Sequence, residues 1–564
     1  MARKHCNNPS LSPSTVSSSF SPETRLLVNG GNHPSHSTYF KKLSERIYIL
    51  QHEIAALKAC QNTISPIHRL PPEVLCKIFL NVQAEEDSTE YVPWLSVTHI
   101  CQHWRAVALG CTSLWTNVSF CEPELTYLTI ERSGKAPLYV RYFDECCFGR
   151  SFCRPLRTVL SETSRLHTVE LDLAGDLVQK SLPPSLAGAP LLEELSIIAN
   201  MDSFTLPRKF FEGGAPRLRR LSLSECKFSW TAIPFSATIT HLKLDSYDGE
   251  ARPPAQVFVD SFTQMPFLKS LHLSGFLPSI QRGIPSSSFP AASTASHLQD
   301  LRVVDAMEYL PAFSNLVRAP NIHSASFVIM EYGTDLDVTA FRHLASGVAS
   351  SWRENQGAIS RVKKLKVGDR TPFGVWFYND DKHSTSQPHL SLSHLNYWAR
   401  FPVEAHFPTL HEDFDISLLQ ELAFTISPSL TLDLIAATFG RLPKLREISV
   451  DGSVKMPDLL KLLSFSTELA PEAVWASAPT DALPPVNFPA LSSIKCRAMD
   501  FEDESATRRK NISTLVSTIK ARSQCHPIKR LSLRCCKNFS EAEKGILSSG
   551  VPGLHVDWDG QKVT

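Results

Sequence analysis

The side chains of this 564-residue chain best suited to chemistry are cations and thiols, and their spacing points to binding. Lys495 and Arg497 alternate with apolar residues in SIKCR, and Arg530 and Arg534 do the same in RLSLR. Four positive charges therefore fall on the polar faces of two adjacent short strands. Guanidinium and ammonium groups set out in this way suit an acidic or phosphorylated segment of a partner protein. The alternative is an ordinary solvated face. The fourteen cysteines are scattered, without a C-x-x-C pair. Cys146-Cys147 with Cys153, and Cys525 with Cys535-Cys536, lack zinc-finger spacing to histidine, so no metal site is expected. Small buried thiols kept reduced are the simpler reading. The text contains no G-x-S-x-G, H-E-x-x-H, phosphate-binding glycine loop or dinucleotide fingerprint, and His241 and Asp245 have no nucleophile at readable spacing. No catalytic residue and no cofactor are expected.

With 57 basic and 56 acidic residues the net charge is +1, so no global field steers the chain to nucleic acid or membrane. Nothing approaches eighteen consecutive apolar residues. Met1-Ala2-Arg3-Lys4 is followed by Ser, Pro and Asn rather than an apolar run, so a cytoplasmic and/or nuclear location is expected.

The chain is organised around residues 64–118. Pro71-Pro72-Glu73 is a helix start, with proline in the first turn and an acid at the positive end of the dipole. Val74, Leu75, Ile78, Phe79 and Val82 then form an apolar stripe. Glu85 to Glu90 reads as an acidic loop. A second helix carries Leu95, Val97, Ile100, Cys101 and Trp104, and a third short segment carries Val107, Leu109, Leu114 and Trp115. So small a helical unit makes little core, and surplus apolar surface should be covered by something else. Leu114 and Trp115 are expected to seat the strand that follows.

The run L-P-P-E-V-L-x-x-I-F, a spacer, V-T-x-I-C-x-x-W-R-x-V-A and S-L-W resembles the F-box, in the form carried by a large family of mushroom-forming fungi. The resemblance implies docking onto a Skp-type adaptor, and through it onto the cullin and RING subunits of a ubiquitin ligase. The residues it nominates for the adaptor are Leu70, Pro71, Glu73, Val74, Ile78, Phe79, Ile100, Cys101 and Trp104.

Ahead of this unit, residues 1–38 are rich in Ser, Pro, Asn and His and read as a disordered leader. Residues 39–60 read as an amphipathic helix, with Phe40, Leu43, Ile47, Leu50, Ile54 and Leu57 on an a/d seam. That stripe either self-associates or, the preferred reading, folds onto the neighbouring helical unit.

Behind it, residues 119–564 read as an irregular leucine-rich-repeat region. L-x-x-L-x-L recurs about Val169, Leu195, Leu221, Leu242, Leu271 and Leu301, at steps of 26, 26, 21, 29 and 30 residues. Further copies centre on Leu365, Leu422, Ile448, Ile494 and Leu531. Pro190, Pro216, Pro266, Pro443 and Pro489 each sit two residues before the first apolar position, marking the turn into a strand. A large insertion near 368–408 contains Val375-Trp376-Phe377-Tyr378 and reads as an ordered hairpin.

The expected fold is α/β: a small helical domain, then a parallel-sheet, horseshoe-like solenoid. The expected function is substrate recognition for an SCF-type ligase, with the target protein held on the repeat sheet. Two alternatives remain: a non-degradative scaffold, and a repeat-domain enzyme with its site in the 368–408 insertion.

Overall fold

The computed structural model describes residues 20–29, 35–84, 92–143, 153–246 (except 184, 201–203 and 209), 252–278, 292–330 (except 311, 312, 314 and 315), 342–349 (except 343), 362–368, 373–378, 388–394, 414–425, 432–451, 456–463, 487–502, 508–523 and 526–561. It divides into two compact units, Met1–Ala136 and Pro137–Thr564.

The first unit is helical. Helix α1 (Pro22–Val28) starts on Ser21, whose hydroxyl accepts the Thr24 N–H at 3.4 Å, with Pro22 in the first turn. It lies within the span expected to be disordered. It is held against α2 (His36–Ile64) by the Arg46–Glu23 ion pair at 2.8 Å and by the Tyr39 hydroxyl donating to the Leu27 carbonyl at 2.7 Å. Residues 1–19 and 30–34 of that leader lie outside the described residues.

Helix α2 starts and ends farther out than the expected 39–60, and its stripe behaves differently from the preferred reading. None of its residues is buried, and Phe40 and Leu57 are 72 % and 71 % exposed. Only the Leu43 and Leu50 side of the seam is half-covered. Phe40, Ile47, Ile54 and Leu57 stay exposed, and among the described residues of this unit nothing buries them.

Helices α3 (Pro72–Ala84), α4 (Gln102–Gly110) and α5 (Pro123–Arg132) close around Leu75, Phe79, Trp94, Val97, Ala108, Leu114 and Trp115. The expected second helix is split: Pro93–His99 is a 3-10 turn, and α4 begins only after Cys101, whose Sγ accepts the Trp104 N–H at 3.4 Å. Leu114 and Trp115 are consumed inside this core instead of being kept for the following strand. The Trp115 indole N–H donates to the Ala108 carbonyl at 3.0 Å, and its ring meets Trp94 edge-on at 5.2 Å. Leu125 and Leu128 of α5 pack on the same cluster, so residues 119–136, expected in the repeat region, belong to the helical unit. Gly134, at φ +58°, ends α5 in a left-handed conformation that favours glycine.

The second unit is built on one large sheet. Its strands are β1 (Leu138–Phe143), β2 (Leu166–Ala174), β3 (Glu194–Asn200), β4 (Arg220–Ser224), β5 (His241–Asp245), β6 (Ser270–Ser274), β7 (Asp300–Asp305) and β8 (Ser324–Ile329). They continue as β9 (Lys364–Gly368), β10 (Phe373–Tyr378), β11 (Leu390–His394), β12 (Glu421–Thr425), β13 (Glu447–Asp451), β14 (Ser493–Arg497), β15 (Arg530–Arg534) and β16 (His555–Trp558). From β1 to β8 each strand pairs in parallel with the next, and the same holds from β12 to β16.

The register gathers the repeated apolar positions into one line. Val169 pairs with Leu195, then Leu221, Leu242, Leu271 and Leu301 follow; Leu365 pairs with Leu422, then Ile448, Ile494 and Leu531. All of them are buried, as a line of inward residues on successive pleated strands must be. The prolines do what proline does best at the second position of a turn. In Ala189–Leu192, Ala215–Leu218, Met265–Leu268 and Phe488–Leu491 the last N–H donates to the first carbonyl, at 3.2, 3.0, 3.2 and 3.1 Å.

The insertion is woven into the sheet. β10 forms the expected ordered hairpin with β9, but its other edge pairs antiparallel with β11, which pairs in parallel with β8. β9 in turn pairs in parallel with β12. The order across the sheet is therefore β8, β11, β10, β9, β12, and β10 is the antiparallel strand of the sheet. Residues 369–372, 379–387 and 395–413 of this stretch lie outside the described residues.

Two cations, Arg252 partly buried and Arg522 buried, tie loops to this frame. Arg252 forms a bidentate pair with Asp305 at 2.9 and 2.7 Å and donates to the Leu277 carbonyl at 2.8 Å. Asp305, 1 % exposed in its side chain, also accepts the Leu277 and Ala306 N–H groups. Arg522, on the helix Arg508–Ser523, donates to the carbonyls of Asn487 and Phe488, and burial lowers its pKa to about 10.

Candidate functional site

Two surfaces carry the residues singled out from the sequence. On α3, side chains four apart share a face, so Val74, Ile78 and Val82 line up while Leu75 and Phe79 turn inward. The outward set is partly open to solvent: Val74 is 40 % exposed and Val82 37 %, with Ile78 half-buried. Pro71 and Glu73 are exposed at the helix start, and Leu70 is half-buried against the core. Ile100, 59 % exposed, sits in the turn just before α4. Trp104 is half-buried, its ring 5.1 Å from Phe79.

Two of the nominated residues take other roles. Phe79 is 0 % exposed, so it supports the surface from beneath and has nothing to offer a partner directly. Cys101 is the cap of α4. Ile64 and Ile67, 72 % and 41 % exposed beside Leu70, were not nominated; their apolar character immediately ahead of the box was the available signal.

Other side chains tie the elements of the unit together. Gln83 donates to the Leu114 carbonyl at 3.0 Å, stitching the end of α3 to the Thr112–Trp115 turn. The His68 and His103 rings meet at 4.6 Å, tilted to each other, bringing the Pro66–Arg69 turn against α4. Burial, and then a hydrogen bond with Cys111, push the Cys76 thiol up to about 11, so it is no nucleophile near neutral pH.

The second surface is the polar face of the sheet. Lys495, Arg497, Arg530 and Arg534 do come together, around one shallow depression with Ser449, Ser532 and Asp557. Half of their charge is already answered: Lys495 is paired with Glu447 and Arg534 with Asp557. Arg497 and Arg530 are exposed and have no ion pair among the described residues. The sequence does not show these pairings, because the partners lie 48 and 23 residues away.

Elsewhere on this face the same pattern holds. Arg141 pairs with Glu170 at 3.2 Å, Arg220 with Glu194, and Lys364 with Glu421 at 3.1 Å. The cysteines of the described residues are free thiols, and burial pushes those of Cys226 and Cys496 far above the ordinary range.

No curated protein matches this chain. Among solved structures it is similar to one described as the crystal structure of the Rad7 and Elc1 complex in yeast, at 14 % identity, over 75 % of this chain and 94 % of that one. The TM-score is 0.25, below what a shared fold requires. Residues 67–121 match the F-box-like family, over the same helices whose outer face stays apolar and open. The chain thus carries an F-box-like domain at its helical end, followed by a large, mostly parallel sheet with helices.

Proposed function

We propose that this chain is the substrate-recognition subunit of an SCF-type cullin–RING ubiquitin ligase, working in the cytoplasm and/or nucleus. The F-box-like domain docks a Skp-type adaptor through Leu70, Pro71, Val74, Ile78, Ile100 and Trp104. The sheet, read as an irregular leucine-rich-repeat solenoid, holds a protein target. The observation that carries this reading is the apolar surface left at Pro71, Val74 and Ile100 once Leu75 and Phe79 have filled the domain's own core. The chain itself transfers nothing; it raises the local concentration of target lysines near chemistry done by partner subunits.

Capture from cells tests this. The intact chain recovers a Skp-type adaptor and a cullin, and a Pro71→Ala/Val74→Ser variant that stays folded recovers neither. Equal recovery by both refutes the docking surface. Recovery of the adaptor with no captured protein whose turnover changes on removing the chain favours the scaffold reading.

A further inference from the structure

The woven insertion builds a feature that the repeat alone does not have. Trp376 of β10 lies against the sheet. A Cβ on Gly368 would meet its Cζ3 at 2.9 Å, and a Cβ on Gly374 would meet its Cζ2 at 2.9 Å. These two glycines are cross-strand partners, so together they clear a bed for the indole. The Lys366 ammonium sits 5.5 Å from the ring centroid, a favourable cation–π distance.

Beside the indole the floor is made of hydroxyls. Ser391 is in register with Trp376 and with Ser326, and its hydroxyl donates to Ser326 Oγ at 2.9 Å. The next two strands bring Arg302 and His272 into the same row. Together these side chains line a depression of about 590 Å³, with Asp300 the carboxylate on its rim.

Five cations of this face, Arg141, Arg220, Lys364, Lys495 and Arg534, have a carboxylate partner on a neighbouring strand; Arg302, like Arg497 and Arg530, is exposed and has no ion pair among the described residues. Burial, and then Arg302, lower the His272 pKa to about 4, so its imidazole is neutral and offers one N–H.

We propose that this depression recognises a phosphorylated serine or threonine in an extended segment of a partner protein. The phosphate sits at Arg302 and an apolar residue lies on Trp376. A phosphate presents three acceptor oxygens, which the Arg302 fork, the His272 N–H and the serine hydroxyls can meet together; a carboxylate presents only two. Arg302 and Trp376 are three strand steps apart, about 14 Å at ~4.8 Å per step, which an extended segment spans in about four residues. The inference rests on reading the sheet as the target-holding region.

The test uses the full chain and fluorescent synthetic peptides carrying one phosphoserine with a leucine about four residues to either side. Matched peptides carry serine or glutamate instead. The phosphopeptide binds at least about tenfold more tightly than both, and Arg302→Gln weakens it roughly 10- to 100-fold, the loss of a charge-assisted fork. Trp376→Leu weakens the leucine-bearing peptide and leaves a leucine-free one unchanged. Arg141→Gln, at a paired cation, changes nothing, and Arg302→Lys controls for folding by keeping charge without the fork. Equal binding of phosphoserine and serine peptides, equal binding of the glutamate peptide, or indifference to Arg302→Gln overturns the inference. Adaptor capture is measured on the same variants. Retained capture without peptide binding removes this site alone, whereas failure of the wild-type chain to capture the adaptor removes the ligase reading.

Discussion

Phe79 and Val74 lie on one helix and in one sequence stripe, yet the structure assigns them opposite work. Phe79 is fully buried among Leu75, Trp94 and Trp104, so Phe79→Ala removes a whole ring from a filled core. Such a truncation costs about 3–5 kcal/mol. A unit of this size has only several kcal/mol of stability in total, at about 0.05–0.15 kcal/mol per residue. Val74 is 40 % exposed, and losing two methyl groups that are about three-fifths buried costs about 1 kcal/mol at ~0.8 kcal/mol per carbon. Amide hydrogen exchange reads the difference directly. At ~1.36 kcal/mol per decade, Phe79→Ala lowers protection across α3 and α4 by roughly a hundredfold or more, and Val74→Ala by less than about tenfold. Adaptor affinity then falls for Val74→Ala with the fold intact. Protection in Phe79→Ala within tenfold of the wild type would refute the core, and equal losses in the two variants would refute the division between core and docking face.

Other consequences follow from the same packing. Ile47→Ser with Ile54→Ser leaves the melting temperature of the helical unit unchanged, because both side chains are exposed among the described residues; a drop of several degrees by calorimetry would mean that α2 does fold onto the unit. Arg252→Met strands the buried Asp305 carboxylate and destabilises the second unit by about 3–5 kcal/mol in urea titration, and adding Asp305→Asn restores most of it by removing the unpaired charge. His272, with a folded pKa lowered to about 4 against an ordinary value of 6.5, stays neutral in the fold while the unfolded chain takes up a proton. Its contribution to stability is therefore complete above about pH 6.5 and lost as pH falls toward 4; His272→Gln flattens stability across that window, and an NMR titration of the ring near 6.5 would contradict it.

Much of this was legible because a strand repeat writes its register into the text. The positions from Val169 to Leu301, and from Leu365 to Leu531, fall in one line across the sheet, and their spacing alone located them. The weave of the insertion was not legible. Alternation in Phe373–Tyr378 is the same whether its neighbours run parallel or antiparallel, and the partners Leu390–His394 and Ser324–Ile329 are distant in sequence. Nor does the stripe on α3 say which of its residues face inward, since Val74 and Leu75 are adjacent and both apolar. The partition is set by Trp94, Trp104 and Trp115, which arrive from other elements. The leader misled for a local reason: Ser21, Pro22 and Arg46 secure one short helix in an otherwise polar run.

The most direct measurement is the affinity of the purified full chain for a purified Skp-type adaptor, compared with Val74→Asp and Ile100→Asp variants whose fold is verified by hydrogen exchange. Both positions are exposed in the free chain, so a charge there is harmless until a partner covers it. An unpaired buried charge at an interface costs about 2–5 kcal/mol. The predicted result is a specific complex with the wild type and a loss of roughly 30-fold or more in each variant. A wild-type chain that does not bind the adaptor, or variants that bind it equally well, would contradict the docking face.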